Sequence, residues 1–190
     1  MKVKIINTNE FKVSKWSGGE TMQLAIYPED AVFSEKDFLF RISSATFSST
    51  ESTFSDFRNY QRYILPLVGE LSLQHERIYS RDLKPYEVEY FDGAWTTHSQ
   101  NSLDCRDYNF IYRKGAQAKL SLLKNEDSLE LEPDNICTLF SQRKAEVLLD
   151  DKVYLLEDFS LLFLDTEEQS VKLKVEKADE TVILSEFKTI

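Results

Sequence analysis

The sequence predicts an all-β protein. Short apolar stretches that alternate with polar residues recur along the whole chain, and turn residues such as Asp92-Gly93 separate them. Helical periodicity is scarce. The spacing of the apolar stretches is even in both halves, which is typical of a sandwich or barrel and is compatible with two related barrels in one chain.

The predicted strands of the first 115 residues lie between clear turn signals. Gly18-Gly19 and Gly69 permit tight reversals, Pro28 ends a strand, and Pro85 marks a strand as an edge. We interpret the polar stretch 46–55 as an extended segment with a loop. The polar stretch 96–102 is predicted to be a loop. The predicted strands are 2–6, 11–16, 20–27, 38–45, 63–67, 70–75, 83–90 and 105–113.

Beyond Gly115 the chain has no further glycine, yet eight short apolar stretches follow at close intervals. They cover 120–123, 129–131, 136–140, 147–149, 153–156, 161–164, 171–175 and 182–184. We therefore expect a motif-bearing barrel in residues 1–115 and a second barrel portion in 116–190, with strands that can be exchanged between the two. No low-complexity linker separates them.

The composition is that of a soluble globular protein, with 42% hydrophobic and 29% charged residues. The net charge of −10 argues against nucleic acid and membrane surfaces as partners, because both are anionic and bind clusters of Lys and Arg. The charge is uneven. Residues 1–115 hold 14 basic against 16 acidic side chains, whereas residues 116–190 hold 9 against 17.

The cysteines and the N-terminus favour an intracellular location. Cys105 and Cys137 have no short spacing to each other or to a histidine, so we expect free thiols and no zinc site. The start of the chain lacks the apolar stretch of a signal peptide, and no stretch is long enough to span a membrane as a helix. We expect a cytoplasmic protein. A homodimer is compatible with this fold class, because exposed strand edges can pair.

The strand Phe38 to Ala45 carries the first candidate site residues. One of its faces is apolar, whereas the other presents Arg41 and Ser43 between Leu39 and Ala45. A half-buried guanidinium needs a partner, since an unpaired buried charge costs several kcal/mol. The partner is either a carboxylate of the protein or an anionic group of a ligand.

Three further polar residues complete this candidate site. Arg62 ends an aromatic-rich segment, and Asp107 and Asn109 share one face of a predicted strand. If these faces converge inside a barrel, the set suits a small acid held by an arginine fork. Spacing alone leaves the alternative open that Asp107 pairs with one arginine and the cluster merely closes the barrel.

The segment from Trp16 to Thr21 is a weaker candidate. Gly18 and Gly19 allow the main chain to approach a ligand closely and to present N–H groups to it. A glycine corner in a β-protein is usually only a turn, and no helix follows that would make it a nucleotide-binding loop.

The sequence gives little indication of catalysis or of a metal. His75 and His98 are the only histidines, and neither has the spacing of a metal-ligand cluster. His98 could act as an acid or base, although a single histidine in a polar loop is usually solvated. We find no nucleophile elbow and no reactive-cysteine signature, and we expect no cofactor.

At the candidate site residues and around them, the chain resembles the HutD/Ves family of bicupins. The resemblance spans about residues 16–113, and its specificity lies in the number and order of short matches. They are Trp16, Gly18-Gly19 and Thr21, then 26–28, Phe40-Arg41-Ile42-Ser43 with Ala45, then Phe54, Phe57 and Arg62, then Gly69, 91–93 and 107–109. The chain departs from the commoner pattern in having only Ser17 between Trp16 and the glycine pair, and in having Tyr108 where phenylalanine is usual.

The resemblance implies two stacked β-barrels and a polar pocket near the motif residues. It also implies a link to histidine utilisation or stress response and a regulatory role through a small acid such as formylglutamate, without an established enzyme activity. Ser17 is expected to reshape the mouth of the pocket.

Our leading hypothesis is a non-catalytic protein that binds a small carboxylate. Arg41 and Arg62 would hold the anion, and Ser43, Asp107 and Asn109 would fix its polar end. The alternatives are a metal-independent cupin isomerase or hydrolase that uses His98 or a tyrosine, and a purely structural protein with a closed, self-paired barrel.

Overall fold

The computed structural model describes residues 1–188 and divides into two compact units. The central unit is Lys12–Lys114, and the terminal unit combines Met1–Phe11 with the chain from Gly115 onward. The N-terminal strand therefore belongs to the terminal unit, in contrast to the sequence-based division, which assigned residues 1–115 to one barrel but left strand exchange open. The described residues contain strands and two 3-10 turns, Thr8–Glu10 and Phe33–Glu35.

A six-stranded antiparallel sheet forms one layer of the central unit. Its order is β2-β3-β4-β11-β6-β9, so strands that are far apart in the chain become neighbours at its centre. The strands are β2 Lys12–Trp16, β3 Gly19–Tyr27, β4 Phe40–Phe47, β6 Tyr60–Val68, β9 Glu89–Asp92 and β11 Arg106–Arg113.

A four-stranded antiparallel sheet of order β5-β10-β7-β8 forms the other layer. The strands are β5 Glu51–Thr53, β7 Leu71–His75, β8 Tyr79–Leu83 and β10 Thr97–Asn101. One apolar cluster joins the two layers, because Ile64 and Phe91 of the first sheet pack with Leu71, Leu73 and Leu83 of the second. The central unit is thus a sandwich of two facing sheets.

The terminal unit repeats this design with a five-stranded sheet of order β1-β17-β14-β19-β12 and a four-stranded sheet of order β13-β18-β15-β16. The apolar side chains of both sheets share one core cluster, in which Leu139, Val147, Leu162, Val175 and Leu184 are fully buried. The strands are β1 Lys2–Ile6, β12 Gln117–Leu123, β13 Ser128–Leu131, β14 Ile136–Ser141, β15 Ala145–Leu149, β16 Lys152–Leu156, β17 Ser160–Asp165, β18 Val171–Ala178 and β19 Val182–Lys188.

The prediction of an all-β protein is confirmed. In residues 1–188 every sheet ends in two edge strands, so the hydrogen-bonded strands do not close into barrels. None of the helical segments in this part of the chain is long and apolar enough to cross a membrane.

Two segment assignments from the sequence are wrong. Residues 97–101 form strand β10, where we expected a loop. This strand has polar side chains on both faces, so hydrophobic alternation could not reveal it. The expected strand 83–90 is instead the end of β8, a turn that contains Pro85, and the start of β9.

Candidate functional site

A cavity of about 290 Å³ lies in the central unit and collects most of the predicted site residues. Of the nine candidates, seven line it: Trp16, Thr21, Arg41, Ser43, Arg62, Asp107 and Asn109. The strands β2, β3, β4, β5, β6 and β11 contribute to its wall. The condition set in the sequence analysis, that these polar faces lie around one space, is therefore met by the side chains that line this cavity.

The register of β11 with its two neighbours explains the convergence. Asn109 pairs with Ser43 on β4, whereas Ile111 lies between Arg41 on β4 and Arg62 on β6. Residues paired in one row across a sheet project to the same face. With a strand spacing of about 4.8 Å, the Cα atoms of the two arginines lie roughly 10 Å apart.

Arg62 is the buried charge without a protein partner. Its side chain makes no hydrogen bond or ion pair with residues 1–188, and its Nε atom is fully buried. The guanidinium packs instead on aromatic rings, 4.5 Å from the centre of the Phe54 ring and 5.3 Å from that of Phe91. Desolvation lowers the pKa of Arg62 from 12.5 to about 10, so the group keeps its charge at neutral pH.

Arg41 is partly satisfied by the protein. Its Nε donates to Oε1 of Gln23 at 2.9 Å, and its Nη1 donates to Oγ of Ser43 at 3.1 Å. The guanidinium lies 4.0 Å from the centre of the Phe33 ring. Burial lowers the pKa of Arg41 to about 10. Within residues 1–188, Nη2 donates no hydrogen bond, so this amino group remains available to a ligand.

Asp107 does not neutralise the arginines by direct pairing. Its Oδ1 accepts a hydrogen bond from the backbone N–H of Ala45 at 2.7 Å, and no ion pair within 4 Å joins it to an arginine of the described chain. Desolvation raises the pKa of Asp107 from 3.8 to about 7, although the Ala45 N–H, Arg62 and Arg41 act in the opposite direction. Near neutral pH the three groups together therefore carry a net charge between +1 and +2.

Asn109 contributes a second unsatisfied polar atom. Its Oδ1 is buried and has no hydrogen-bond partner within residues 1–188. Buried polar atoms of native proteins nearly always have a partner, either in the protein or in bound water or ligand. Arg62 and Asn109 thus offer an unpaired donor and an unpaired acceptor at the same cavity.

The glycine corner shapes the cavity wall without lining it. Trp16 and Thr21 line the cavity and are joined by a hydrogen bond from Nε1 of Trp16 to Oγ1 of Thr21 at 3.2 Å. A Cβ atom on Gly18 would lie 2.1 Å from the Trp16 ring, and one on Gly19 would lie 2.0 Å from the carbonyl oxygen of Thr46. Both glycines therefore serve close packing at the β2–β3 turn.

Neither histidine belongs to the cavity lining. The exposed ring of His98 lies on the outer face of the four-stranded sheet, where Nδ1 is 3.0 Å from Oγ1 of Thr53. His75 is buried, and its Nδ1 lies 2.9 Å from Oγ1 of Thr97. Within residues 1–188 no group of three or more His, Cys, Asp or Glu side chains is arranged to hold a metal ion.

Sequence reasoning missed several residues of the cavity and its surroundings. Gln23 shares a face of β3 with Thr21 by strand alternation, but we did not single it out, although its side chain accepts a hydrogen bond from Arg41. Phe33 lies in a 3-10 turn that carries no strand signal. The segment from Ser52 to Ser55 forms one wall, and the only sequence signal for this role was its position among the short family matches around Phe54.

The comparison with protein families identifies the kind of protein. A model of the HutD family, described as HutD, matches residues 8–183. The chain belongs to the HutD family. Among curated proteins no sequence matches it.

Two solved structures resemble the whole chain. PA5104 from Pseudomonas aeruginosa PAO1, a conserved protein of unknown function, is 22% identical, with a TM-score of 0.88 and full coverage of both chains. HutD from Pseudomonas fluorescens SBW25, in a formate condition, is 20% identical, with a TM-score of 0.81 and full coverage of both chains. At these identities the likeness supports the fold.

A more distant resemblance extends to the bacterial pirin YhhW from Escherichia coli, in complex with nickel(II). It is 10% identical, with a TM-score of 0.68 and full coverage of both chains. The fold of this HutD family member is therefore similar to that of this pirin.

Proposed function

We propose that this HutD family member is a non-catalytic protein that binds a small carboxylate in the central-unit cavity and acts through that binding in regulation. The observation that carries the proposal is Arg62, a buried guanidinium without a hydrogen-bond partner in the described chain. A protein seldom keeps such a group without an anion for it, because a buried unpaired charge costs several kcal/mol.

The charge of the cavity favours an anion. Two guanidiniums face one carboxyl group whose pKa lies at about 7, so a bound carboxylate would reduce the excess positive charge. Each charge-assisted hydrogen bond to a carboxylate contributes about 1.5 to 3 kcal/mol. Arg62 and the free Nη2 of Arg41 are the donors for the acid group.

The polar groups of the ligand would meet Ser43, Asp107 and Asn109. The Oδ1 atom of Asn109 requires a donor, such as the N–H of an amide. The protonated form of Asp107 can donate to a ligand oxygen through its second oxygen, while Oδ1 remains on the Ala45 N–H. A ligand with a carboxylate at one end and an amide at the other would pair with the two arginines at the first end and with Asp107 and Asn109 at the second.

The volume limits the ligand to a small metabolite. The cavity of about 290 Å³ is partly open to solvent and lies at the lower end of the usual size of small-molecule sites. This size and polarity agree with a formylglutamate-like acid, which the resemblance to HutD/Ves proteins and their association with histidine utilisation imply. We further propose that the two sandwiches correspond to the two cupin domains of a bicupin.

A thermal-shift screen tests this proposal. The purified protein is heated with formylglutamate, glutamate, urocanate or formate, and the same acids are tested on Arg62→Met. Arg77→Met is the matched control, because Arg77 is an exposed arginine of the same unit, 91% accessible at its side chain. We expect at least one acid to raise the Tm of the parent and of Arg77→Met but not that of Arg62→Met. No shift with any acid would contradict the proposal.

A second candidate function is a metal-independent isomerase or hydrolase in which Asp107 is the acid or base. His98 was the first candidate for its acid or base, but it is exposed on the outer face of the other sheet. Asp107 lines the cavity, and a pKa of about 7 suits proton transfer near neutral pH. Turnover of a bound acid that is lost in Asp107→Asn would favour this candidate.

A further inference from the structure

A second space in the central unit has a different chemistry from the cavity. It is an open groove of about 590 Å³ between the 3-10 turn that ends at Glu35, the loop before β6, and the end of β11. Four cationic side chains line it: Lys36, Arg58, Arg113 and Lys114. They come from three separate segments of the chain, around residues 36, 58 and 113–114, which the fold brings together.

Tyr60 and backbone hydrogen bonds connect the three segments of the groove. The buried Tyr60 hydroxyl lies 2.7 Å from the carbonyl oxygen of Lys36 and 3.0 Å from that of Phe38, and these two acceptors share its one proton. The backbone N–H of Lys114 donates to the carbonyl oxygen of Asn59 at 2.9 Å. The cationic side chains therefore extend from a backbone that is already fixed, which reduces the ordering cost of binding.

The groove has more positive charge than its own acids can neutralise. Arg58 pairs with Asp56, and Lys114 pairs with Asp92 at 2.7 Å. Lys36 donates only to the backbone oxygen of Asp56 and lies 4.9 Å from the centre of the Phe57 ring. Arg113 has no acidic partner in residues 1–188 and lies 6.0 Å from the centre of the Tyr60 ring. Four cations thus face two carboxylates in a chain whose net charge is −10.

The buried ring of Phe57 lines both the groove and the Arg62 cavity. Lys36 approaches this ring to 4.9 Å, and Arg62 approaches it to 5.7 Å. The two spaces share no charged residue in their linings. Binding in the groove can therefore be tested without disturbing the arginines of the cavity.

We propose that this groove is a second binding site and that it takes a small anion with two or more negative charges. The groove is open to water, where a single charge–charge contact contributes little. A ligand with several anionic groups gains from Lys36 and Arg113 at the same time. The high negative charge elsewhere on the chain disfavours its adsorption at other surfaces.

Calorimetric titration with sodium pyrophosphate at low ionic strength tests the site, with citrate as a carboxylate probe in a parallel series. The variant is Arg113→Gln, and Arg77→Gln is the control, because it removes the same charge from an exposed position of the same unit. Backbone amide shifts in NMR spectra of the parent locate the bound probe, with Asn59 and Lys114 as reporters of the groove and Ala45 as a reporter of the cavity.

We expect one or both probes to bind the parent, to shift the amides of Asn59 and Lys114, and to bind Arg113→Gln with a Kd about five-fold higher. Arg77→Gln should keep the Kd of the parent. The absence of binding by both probes, an equal loss in both variants, or shifts confined to Ala45 and its neighbours would overturn the proposal. Because cavity ligands are tested through Arg62, failure here leaves the carboxylate proposal intact.

Discussion

Replacing Arg62 by methionine is expected to stabilise the ligand-free protein. Burial lowers the pKa of Arg62 from 12.5 to about 10, and at about 1.36 kcal/mol for each pKa unit the charged group costs roughly 3 kcal/mol. Methionine keeps an unbranched apolar chain beside Phe54 and Phe91 but loses cation–π contacts of about 1 to 2 kcal/mol. The free energy of unfolding should therefore rise by about 1 to 2 kcal/mol.

Urea unfolding in a chloride buffer free of carboxylates measures this change, and thermal unfolding provides a second measurement. A gain of this size raises the Tm by about 2 to 8 °C for a chain of this length. Arg77→Met, at an exposed position, should stay within about 0.5 kcal/mol of the parent. A loss of stability in Arg62→Met would mean that the protein itself satisfies the guanidinium, and the argument for a bound acid would fail.

Three further substitutions test the surroundings of the cavity. Because folded Asp107 keeps its proton up to about pH 7 but the unfolded carboxyl loses it near 3.8, parent stability should fall as pH rises between these values. Asp107→Asn, compared with the parent by urea unfolding at roughly pH 5 and pH 8, should gain about 2 to 3 kcal/mol relative to the parent at the higher pH. His98→Ala should leave acid binding unchanged in the thermal-shift screen, since the ring lies outside the cavity; a lost shift would contradict its placement. Gly19→Ala should lower the Tm, because its Cβ would meet the Thr46 carbonyl oxygen at 2.0 Å, and an unchanged Tm would contradict this packing.

The sequence predicted the arginine-bearing face because strand periodicity is strict. In β4, Arg41 and Ser43 are two residues apart and lie on one face, and in β11 the same holds for Asp107 and Asn109. Periodicity does not specify which strands become neighbours. The order β4-β11-β6, which places Arg62 in the same row as Arg41, is a property of the tertiary fold.

Other parts of the site had no local signal. Strand β10 exposes His98 and Gln100 on one face and buries Thr97 and Ser99 on the other, so polarity does not distinguish its faces. The sequence also carried no signal for the basic groove, because Lys36, Arg58 and Arg113 come from three separate segments. A count of charges along the chain gave only the slight preference of basic residues for the first 115 positions.

The two arginines of the cavity differ in a way that bears on their roles. The protein holds Arg41 in place through Gln23 and Ser43, so its orientation is fixed before any ligand arrives. Among residues 1–188, Arg62 packs on aromatic rings, which supply weak attraction, and its side chain makes no hydrogen bond. If an acid binds, most of the new hydrogen-bond energy should therefore come from Arg62, and Arg41 should mainly set the direction of approach. Substitution of Arg62 should then weaken every acid, whereas substitution of Gln23 should alter the discrimination between acids.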